Sequence, residues 1–318
     1  MSSSSLSKRP VILDCDPGQD DALMLFLALN APELDVLGVV AVGGNVPLAR
    51  TEINCRILVE MAGRKDVPVF AGCLGPMVEP LFTAEYVHGE TGIDGIAFFE
   101  PSLPKQSKHG VDFIIDTLRA AADDSVEMVV TGPMTNLAMA LKKTPDIAVK
   151  IKQIAIMGGA SFEAGNVTPS AEFNIYVDPH AADIVMKCGR PIIMFGLDVT
   201  HKVMTSPEIV DRLNALGGDV AKSCAGMLEF FGQYDAAKYS AEGGPLHDPC
   251  TVAWMLKPEL FKLKTCHIAI EMQSALTRGH TAVDFWGVTD QPANAQWAYD
   301  VDRDKFFDFL IERIGNYK

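Results

Sequence analysis

Four aspartates stand within eight residues near the start of the chain, at Asp14, Asp16, Asp20 and Asp21. Carboxylates this close repel one another, so they must be solvated, protonated or neutralised by a cation. A hard divalent ion such as Ca²⁺ prefers an all-oxygen ligand set of this kind. The alternative is an acidic first turn of a helix, which the helix dipole favours. Two acids would fit that alternative, whereas four favour a cation site.

The aspartates lie between an apolar run and a helical pattern. Residues 11–13 predict a buried strand, and apolar residues at helical spacing begin at Ala22. Pro17 and Gly18 allow a sharp reversal of the chain between the two elements. The sequence therefore predicts that the acids occupy a strand-to-helix turn.

Strand-like apolar runs alternate with amphipathic runs through most of the chain. The predicted strands are residues 11–15, 35–42, 67–71, 127–131, 153–157 and 191–196. The predicted helices are residues 20–29, 47–62, 111–122, 133–142, 179–188 and 206–216. This rhythm, with strands apolar on both faces, predicts an α/β fold with an open, mainly parallel (mixed) Rossmann-like sheet flanked by helices.

The domain organisation is predicted to be simple. Connections are short and no linker divides the chain, so residues 10–318 are expected to form a single domain after a flexible Ser-rich tail at residues 1–9. In an open parallel sheet, ligands bind at the carboxyl ends of the strands. The active site is therefore expected at that edge.

Composition excludes several classes of partner and cofactor. The net charge is 27 − 41 = −14 with no basic cluster, which argues against a nucleic-acid partner. No apolar run approaches the roughly 18 residues of a membrane span. Seven scattered cysteines without a C-x-x-C pair indicate a reduced, cytoplasmic location and argue against a thiolate zinc site. No G-x-G-x-x-G motif or P-loop indicates a nucleotide phosphate site.

A second polar cluster spans residues 166–174. Asn166, Glu172 and Asn174 combine hydrogen-bond donors and acceptors in a way that suits a polyol such as a sugar. The alternative is an ordinary capped loop, and the residues alone do not decide between the two.

A third cluster spans residues 243–249. His247 is a candidate proton donor, and Asp248 is a candidate cation ligand. The alternative makes Asp248 the N-cap of a helix with Pro249 at its first position. An ionised Asp248 would raise the pKa of His247 and a bound cation would offset this, so only a modest net shift is expected.

Taken together, these clusters resemble the nucleoside hydrolase family (inosine-uridine preferring type) over most of the chain. The most specific match is Asp14-Cys15-Asp16-Pro17-Gly18-Gln19-Asp20-Asp21-Ala22. The other matching segments are residues 44–45, 88–92, 131–136, 157–159, 166–174 and 247–248. The resemblance implies an enzyme that cleaves the N-glycosidic bond of a small-molecule ribonucleoside, giving ribose and free nucleobase, in purine and pyrimidine nucleoside catabolism or salvage.

The resemblance also implies roles for individual residues. A Ca²⁺ would be held by Asp16, Asp21, the backbone carbonyl of Thr131 and Asp248. Asp16 would act as the base that takes a proton from the attacking water, and His247 would lie over the nucleobase and assist its departure. The implied substrate-binding residues are Asp20, Asn45, His88, Met157, Asn166, Glu172, Phe173, Asn174 and Tyr239. The family further implies a homo-oligomer, either a dimer or a homotetramer.

The chemistry is consistent with these residue types. Breaking an N-glycosidic bond places positive charge on the ribosyl ring, which a carboxylate-rich pocket stabilises. Ca²⁺ lowers the pKa of water less than Zn²⁺ does, so a carboxylate base is needed. A poor leaving base needs protonation or an aromatic partner.

Base preference is left open by the sequence. Tyr234 and Tyr239 are placed where they could contact the nucleobase, but they are equally well explained as packing residues. Purine-specific relatives tend to stack the base between tryptophans. Trp254, Trp286 and Trp297 all lie outside the matching segments, which weakens a purine-specific interpretation.

Two other functions compete with this interpretation. A haloacid dehalogenase-type phosphatase also begins with a strand ending in Asp-x-Asp, but Gly18 stands where that family has Thr or Val. A non-catalytic nucleoside-binding protein would keep the pocket without turnover. Against it, the metal, base and acid positions Asp16, Asp21, His247 and Asp248 are all present.

Overall fold

The computed structural model describes residues 8–239 and 243–317, with the side chains of residues 234–239 left aside. The strands are β1 (Arg9–Cys15), β2 (Leu34–Ala41), β3 (Val69–Ala71), β4 (Val126–Val130), β5 (Ile151–Met157), β6 (Ile192–Phe195), β7 (Phe261–Ile270), β8 (Thr281–Asp284) and β9 (Ala295–Val301). The helices are α1 (Gln19–Leu29), α2 (Leu48–Met61), α3 (Glu85–His88), α4 (Gly110–Ala120), α5 (Thr135–Lys143), α6 (Phe173–Val177), α7 (Pro179–Met186), α8 (Leu197–Thr200), α9 (Pro207–Leu216), α10 (Asp219–Tyr239), α11 (Pro249–Leu256) and α12 (Arg303–Ile314).

All strands join one sheet in the order β3-β2-β1-β4-β5-β6-β9-β7-β8. The six predicted strands are present, and they pair in parallel in the Rossmann-like order 3-2-1-4-5-6. β9 extends this parallel region beside β6, whereas β7 runs antiparallel to both β9 and β8. The predicted α/β class and mixed, mainly parallel sheet are confirmed.

The order of strands reverses between β1 and β4, since β2 and β3 lie to one side and β5 and β6 to the other. At such a point the connecting segments diverge and leave a crevice beyond the carboxyl ends of the strands. Asp16 follows β1 and Thr131 follows β4, and the backbone N–H of Thr131 donates to the carbonyl of Asp14 at 2.9 Å. The crevice therefore opens between two of the predicted site segments.

α1 lies deep in the molecule, because every residue from Gln19 to Leu29 is buried. Its apolar residues face the sheet on one side and α10, α11 and α12 on the other. A helix that is apolar on all sides is stable only when it is covered in this way. The two aspartates of its first turn are consequently carried below the protein surface.

Parts of the predicted organisation were wrong or incomplete. Connections are not all short, because residues 72–109 link β3 to α4 and contain only the short helix α3. β7, β8 and β9 were not predicted. Of the predicted tail, residues 1–7 lie outside the described residues, while Arg9 already belongs to β1 and its guanidinium pairs with Glu127 at 2.7 Å. Within the described residues, no helix is long and apolar enough to cross a bilayer.

Candidate active site

A cavity of about 490 Å³ opens at the predicted edge of the sheet. The predicted residues that line it are Asp20, Asn45, His88, Thr131, Met157, Asn166, Glu172, Phe173, Asn174, His247 and Asp248. Asp16 and Asp21 lie beneath its floor and are fully buried. The backbone of Tyr239 belongs to α10, but its side chain lies outside the described residues.

Three carboxylates converge at the floor of the cavity. Asp20 and Asp21 come from the first turn of α1 and Asp248 from the residue before α11, and one oxygen of each lies within 4.8 Å of the others. The predicted cation ligands included Asp16 rather than Asp20 in this group. Asp16 is nevertheless close enough to Asp21 for that charge to raise its pKa.

Asp16 is held by the segment that follows β2. Its Oδ2 accepts the backbone N–H of Asn45 at 2.7 Å, and the Asn45 amide donates to the carbonyl of Asp16 at 3.1 Å and to Oδ2 of Asp21 at 3.4 Å. Gly44 has to be glycine here, because a Cβ would lie 2.0 Å from Oδ2 of Asp16. Oδ1 of Asp16 is buried and has no hydrogen-bond partner among the described residues.

The carboxyl groups are shifted toward their protonated forms. Burial is the largest cause: it raises the pKa of Asp20 to about 7 and that of Asp21 to about 6, and the pKa values of Asp16 and Asp248 rise well above their usual range. Charge repulsion among the four acids adds to the shift at Asp16, Asp20 and Asp248. Among the described residues that line the cavity there is no Lys or Arg to neutralise them.

The donor set fits a hard divalent cation. All the available atoms are oxygens, and the orphaned Oδ1 atoms of Asp16 and Asp20 lack partners within the described chain. The carbonyl of Thr131 accepts one hydrogen bond, from the amide of Asn174 at 2.7 Å, so its second lone pair remains for a ligand. A cation would remove the repulsion that otherwise protonates these acids.

The cluster at residues 166–174 forms one wall of the cavity. Glu172 caps α6, since its carboxylate accepts the backbone N–H groups of Asn174 at 2.9 Å and Ile175 at 3.2 Å. Its Oε2 also accepts the backbone N–H of Gly159, which follows β5, at 2.9 Å. Glu172 therefore has a capping role, as the capped-loop alternative expects, and it also lines the cavity. The amide of Asn174 donates to the carbonyls of Thr131 and Met157, which leaves its oxygen for a ligand.

Asp248 does not cap α11 with its side chain. Pro249 occupies the first position of the helix as the capping alternative expects, but Asp248 makes no side-chain cap hydrogen bond. Its carboxylate is directed instead to Asp20 and Asp21, which the cation-ligand hypothesis requires.

His247 is partly buried in the cavity wall, and its Nδ1 lies 2.8 Å from the hydroxyl of Thr200. Burial lowers its pKa well below the ordinary value of 6.5, and the neighbouring His201 and His88 lower it further. In the absence of a cation the shift is thus larger than the modest net shift expected with one bound, because desolvation disfavours the imidazolium. The ring is therefore neutral near pH 7.

Several cavity residues were not predicted from the sequence. They include Glu163 and His201, whose Oε2 and Nδ1 lie 3.5 Å apart, and the aromatic residue Phe231 of α10. His201 follows β6 directly through α8, so the rule that ligands bind at the carboxyl ends of strands could have identified it. Glu163 and Phe231 carried no comparable signal, because they lie in a loop and within a long helix.

The three tryptophans lie away from the cavity. Trp297 is fully buried in the core, Trp286 is 77% exposed, and Trp254 packs against Phe195. None of the three lines the cavity, in agreement with their positions outside the matching segments.

Comparison with known proteins identifies close relatives. The sequence model described as "Inosine-uridine preferring nucleoside hydrolase" matches residues 11–308. The chain is 46% identical over 310 residues to the pyrimidine-specific ribonucleoside hydrolase RihA of Photobacterium profundum, covering 97% of this chain and 99% of that protein. It is 32% identical to a plant nucleoside hydrolase structure, PpNRh1, with a TM-score of 0.91 and 97% and 99% of the two chains covered.

A second solved structure is the purine-preferring ribonucleoside hydrolase from Gardnerella vaginalis, at 32% identity and a TM-score of 0.90, with 97% of this chain and 99% of that chain covered. These similarities favour a hydrolase over both the phosphatase and the non-catalytic binding protein.

The buried carboxyl groups predict that the cation-free protein loses stability as the pH rises. The pKa of Asp14 and Asp20 is about 7 in the folded state, against about 3.9 in an unfolded chain. The stabilising protonation is complete below about pH 4 and is lost as the pH rises through about 7. Urea midpoints in chelator should therefore be lower at about pH 8 than at about pH 5.

Added Ca²⁺ should restore the midpoint at the higher pH, and Asp248→Asn should reduce the pH dependence in chelator. A midpoint that is the same at both pH values without cation would show that the acids are not buried together.

Proposed function

The chain belongs to the family of inosine-uridine preferring nucleoside hydrolases and is a ribonucleoside hydrolase, and from this premise we propose that it acts on pyrimidine ribonucleosides with Ca²⁺ as its cofactor. The observation that carries the proposal is a buried group of carboxylates at the floor of the cavity, formed by Asp16, Asp20, Asp21 and Asp248. Among the described residues that line this cavity there is no Lys or Arg. Such a floor needs a cation and suits a reaction that develops positive charge.

The proposed Ca²⁺ ligands are Asp16, Asp21, the carbonyl of Thr131 and Asp248. Ca²⁺ accepts six to eight oxygen ligands in flexible geometry, whereas Mg²⁺ demands a near-ideal octahedron. When bound, the ion acts as a Lewis acid that orients water and ribose hydroxyls. The proposal is supported by the oxygen-only donor set and by the absence of free charge compensation among the described lining residues.

Asp16 is proposed as the general base. Its Oδ2 is occupied by the backbone N–H of Asn45, so Oδ1 is the oxygen available to take a proton from water. The water oxygen then bonds to C1′ of the ribose while the bond from C1′ to the base nitrogen breaks, and its electron pair leaves with the base. The positive charge on the ribosyl ring is stabilised by the carboxylates and by the amide oxygen of Asn174.

The remaining lining residues divide between sugar and base. The polar wall suits the ribose; its proposed residues are Asp20, Asn45, Met157, Asn166, Glu172, Phe173 and Asn174. His88 and Tyr239 are proposed to contact the base. For His88 the support is its stacking on Phe231, with ring centroids 5.6 Å apart, because an aromatic wall accommodates a flat ligand.

His247 is proposed to assist the leaving base as a neutral hydrogen-bond donor. The lowered pKa of this histidine means that an imidazolium is not present in advance at neutral pH. An N–H group aimed at the heteroatom that gains negative charge still stabilises the transition state. This role is compatible with the engagement of its other nitrogen by Thr200.

The pyrimidine preference is supported by the relatives. A pyrimidine-specific enzyme is 46% identical to this chain, whereas the purine-preferring structure is 32% identical. The positions of Trp254, Trp286 and Trp297 away from the cavity agree with this preference.

The protein is proposed to be cytoplasmic, and the support is its seven free cysteines. It is also proposed to form a dimer or tetramer, which is supported by exposed apolar side chains such as Val288. Light scattering of the purified protein would test the assembly.

A panel of uridine, cytidine, inosine and adenosine tests the proposed substrate class. Reducing-sugar release should give a kcat/KM for uridine and cytidine at least about tenfold above that for the purines. A preference for inosine would overturn the base assignment alone, and binding without sugar release would overturn the activity.

The proposed general base predicts that Asp16→Asn lowers turnover by about 10²–10⁴-fold while leaving the circular dichroism spectrum unchanged.

The metal assignment predicts Ca²⁺ in the purified enzyme. Elemental analysis should find calcium bound to the protein, and exhaustive chelation should abolish activity until Ca²⁺ is restored. Zinc at the site, or full activity after chelation, would refute the assignment. Asp248→Asn provides the control, because it should lose bound calcium without altering the other proposed ligands.

The leaving-group role of His247 predicts a difference between substrates. His247→Ala should lower kcat for uridine by about 10²-fold, since one hydrogen-bond donor to developing negative charge is removed. The same variant should change turnover of p-nitrophenyl riboside little, because that leaving group departs as a stabilised phenolate. Equal losses with both substrates would instead assign His247 to ribose or cation binding.

A further inference from the structure

Gln19 is the first residue of α1 and is fully buried between the glycine and the aspartates of the first motif. Its amide nitrogen donates to two backbone carbonyls, those of His88 at 2.9 Å and Asp94 at 3.1 Å. Both amide hydrogens are thereby used. The orientation of the amide is also determined, because the reversed orientation would place its oxygen against two carbonyl oxygens.

The oxygen of the same amide lies 2.7 Å from Nδ1 of His88. An amide oxygen only accepts hydrogen bonds, so Nδ1 must carry the hydrogen. A neutral imidazole has a single N–H, and therefore Nε2 carries a lone pair. Burial lowers the pKa of His88 to about 4, which keeps the ring neutral at physiological pH.

The ring of His88 is held in this position from two sides. A Cβ on Gly18 would lie 2.5 Å from Nδ1, so the absence of a side chain at this position provides the space for the imidazole. On the other side the ring stacks on Phe231 with an interplanar angle of 19°. Rotation of the ring would separate Nδ1 from Gln19 and bring a carbon edge against the amide oxygen.

We propose that Gln19 is a positioning residue that determines base specificity by making His88 a hydrogen-bond acceptor. Since His88 lines the cavity, it selects a base that presents an N–H group toward it, as uracil does at N3. The same tautomer removes His88 as a proton donor to the leaving base, which leaves that role to His247. This inference rests on the proposed function.

The tautomer can be measured directly. In protein labelled with ¹⁵N at histidine, the ring signals of His88, assigned by their loss in His88→Asn, should show the hydrogen on Nδ1. Gln19→Met removes the acceptor at similar size and should move the hydrogen toward Nε2.

Asn54→Leu is the matched control for a merely structural effect. The Asn54 amide also ties the first motif to the loop after α3, donating to the carbonyls of Pro17 at 3.2 Å and Thr91 at 2.7 Å, and it makes no hydrogen bond to the His88 ring within the described structure. This variant should loosen the same loop and keep the tautomer.

Kinetics with uridine and 3-methyluridine test the consequence for specificity. Gln19→Met should lower kcat/KM for uridine about tenfold, because the acceptor tautomer then buries an unpaired N–H. It should leave the already low value for 3-methyluridine unchanged, since that base has no hydrogen at N3. Asn54→Leu should affect both substrates equally.

Two results would overturn the inference. One is a wild-type His88 with its hydrogen on Nε2, and the other is an equal loss for both substrates in Gln19→Met. If the wild-type enzyme cleaves no nucleoside, the proposed function fails, and the ¹⁵N measurement still decides whether Gln19 sets the tautomer.

Discussion

The burial of four carboxylates at one point is the constraint on which the rest of the structure depends. Removing a carboxylate from water is costly, and placing several together adds repulsion. In the cation-free protein the cost is reduced by protonation, which is why the pKa of Asp20 rises to about 7. The protein thus keeps at its centre a group of acids whose mutual repulsion a bound cation would relieve.

The fold supplies fixed hydrogen bonds that hold these acids in place. Asp21 accepts the backbone N–H of Gly18 at 3.0 Å and the hydroxyl of Thr131 at 2.7 Å. These donors come from the N-terminus of α1, where the helix dipole favours negative charge, and from the end of β4. One layer deeper, the amide of Asn136 donates to Asp14 at 2.8 Å and its oxygen accepts the backbone N–H of Cys73. The strand ends are joined through these carboxylates and amides.

The parts of this arrangement that follow from short-range pattern were accessible to sequence reasoning. The apolar sequences of β1 to β6, which are buried on both faces, allowed these strands to be predicted. The rule that ligands bind at the carboxyl ends of parallel strands then predicted where the acids lie. β7 has no such signal, because it lies toward the antiparallel side of the sheet and alternates irregularly between buried and exposed residues. The pairing of Glu163 with His201 and the depressed pKa of His247 depend on contacts between distant segments, which no local spacing records.

The two cavity histidines show why residue type alone does not assign chemistry. His88 faces an amide oxygen whose own nitrogen is committed to two carbonyls, so its hydrogen has one possible position. His247 faces the hydroxyl of Thr200, which can donate or accept. The first histidine is therefore fixed with its hydrogen on Nδ1, whereas the second can carry its hydrogen on either nitrogen. The role proposed for His247, assisting the departing base, would use that freedom. The side chains behind the histidines, Gln19 and Thr200, thus give different hydrogen-bonding properties to two otherwise identical rings.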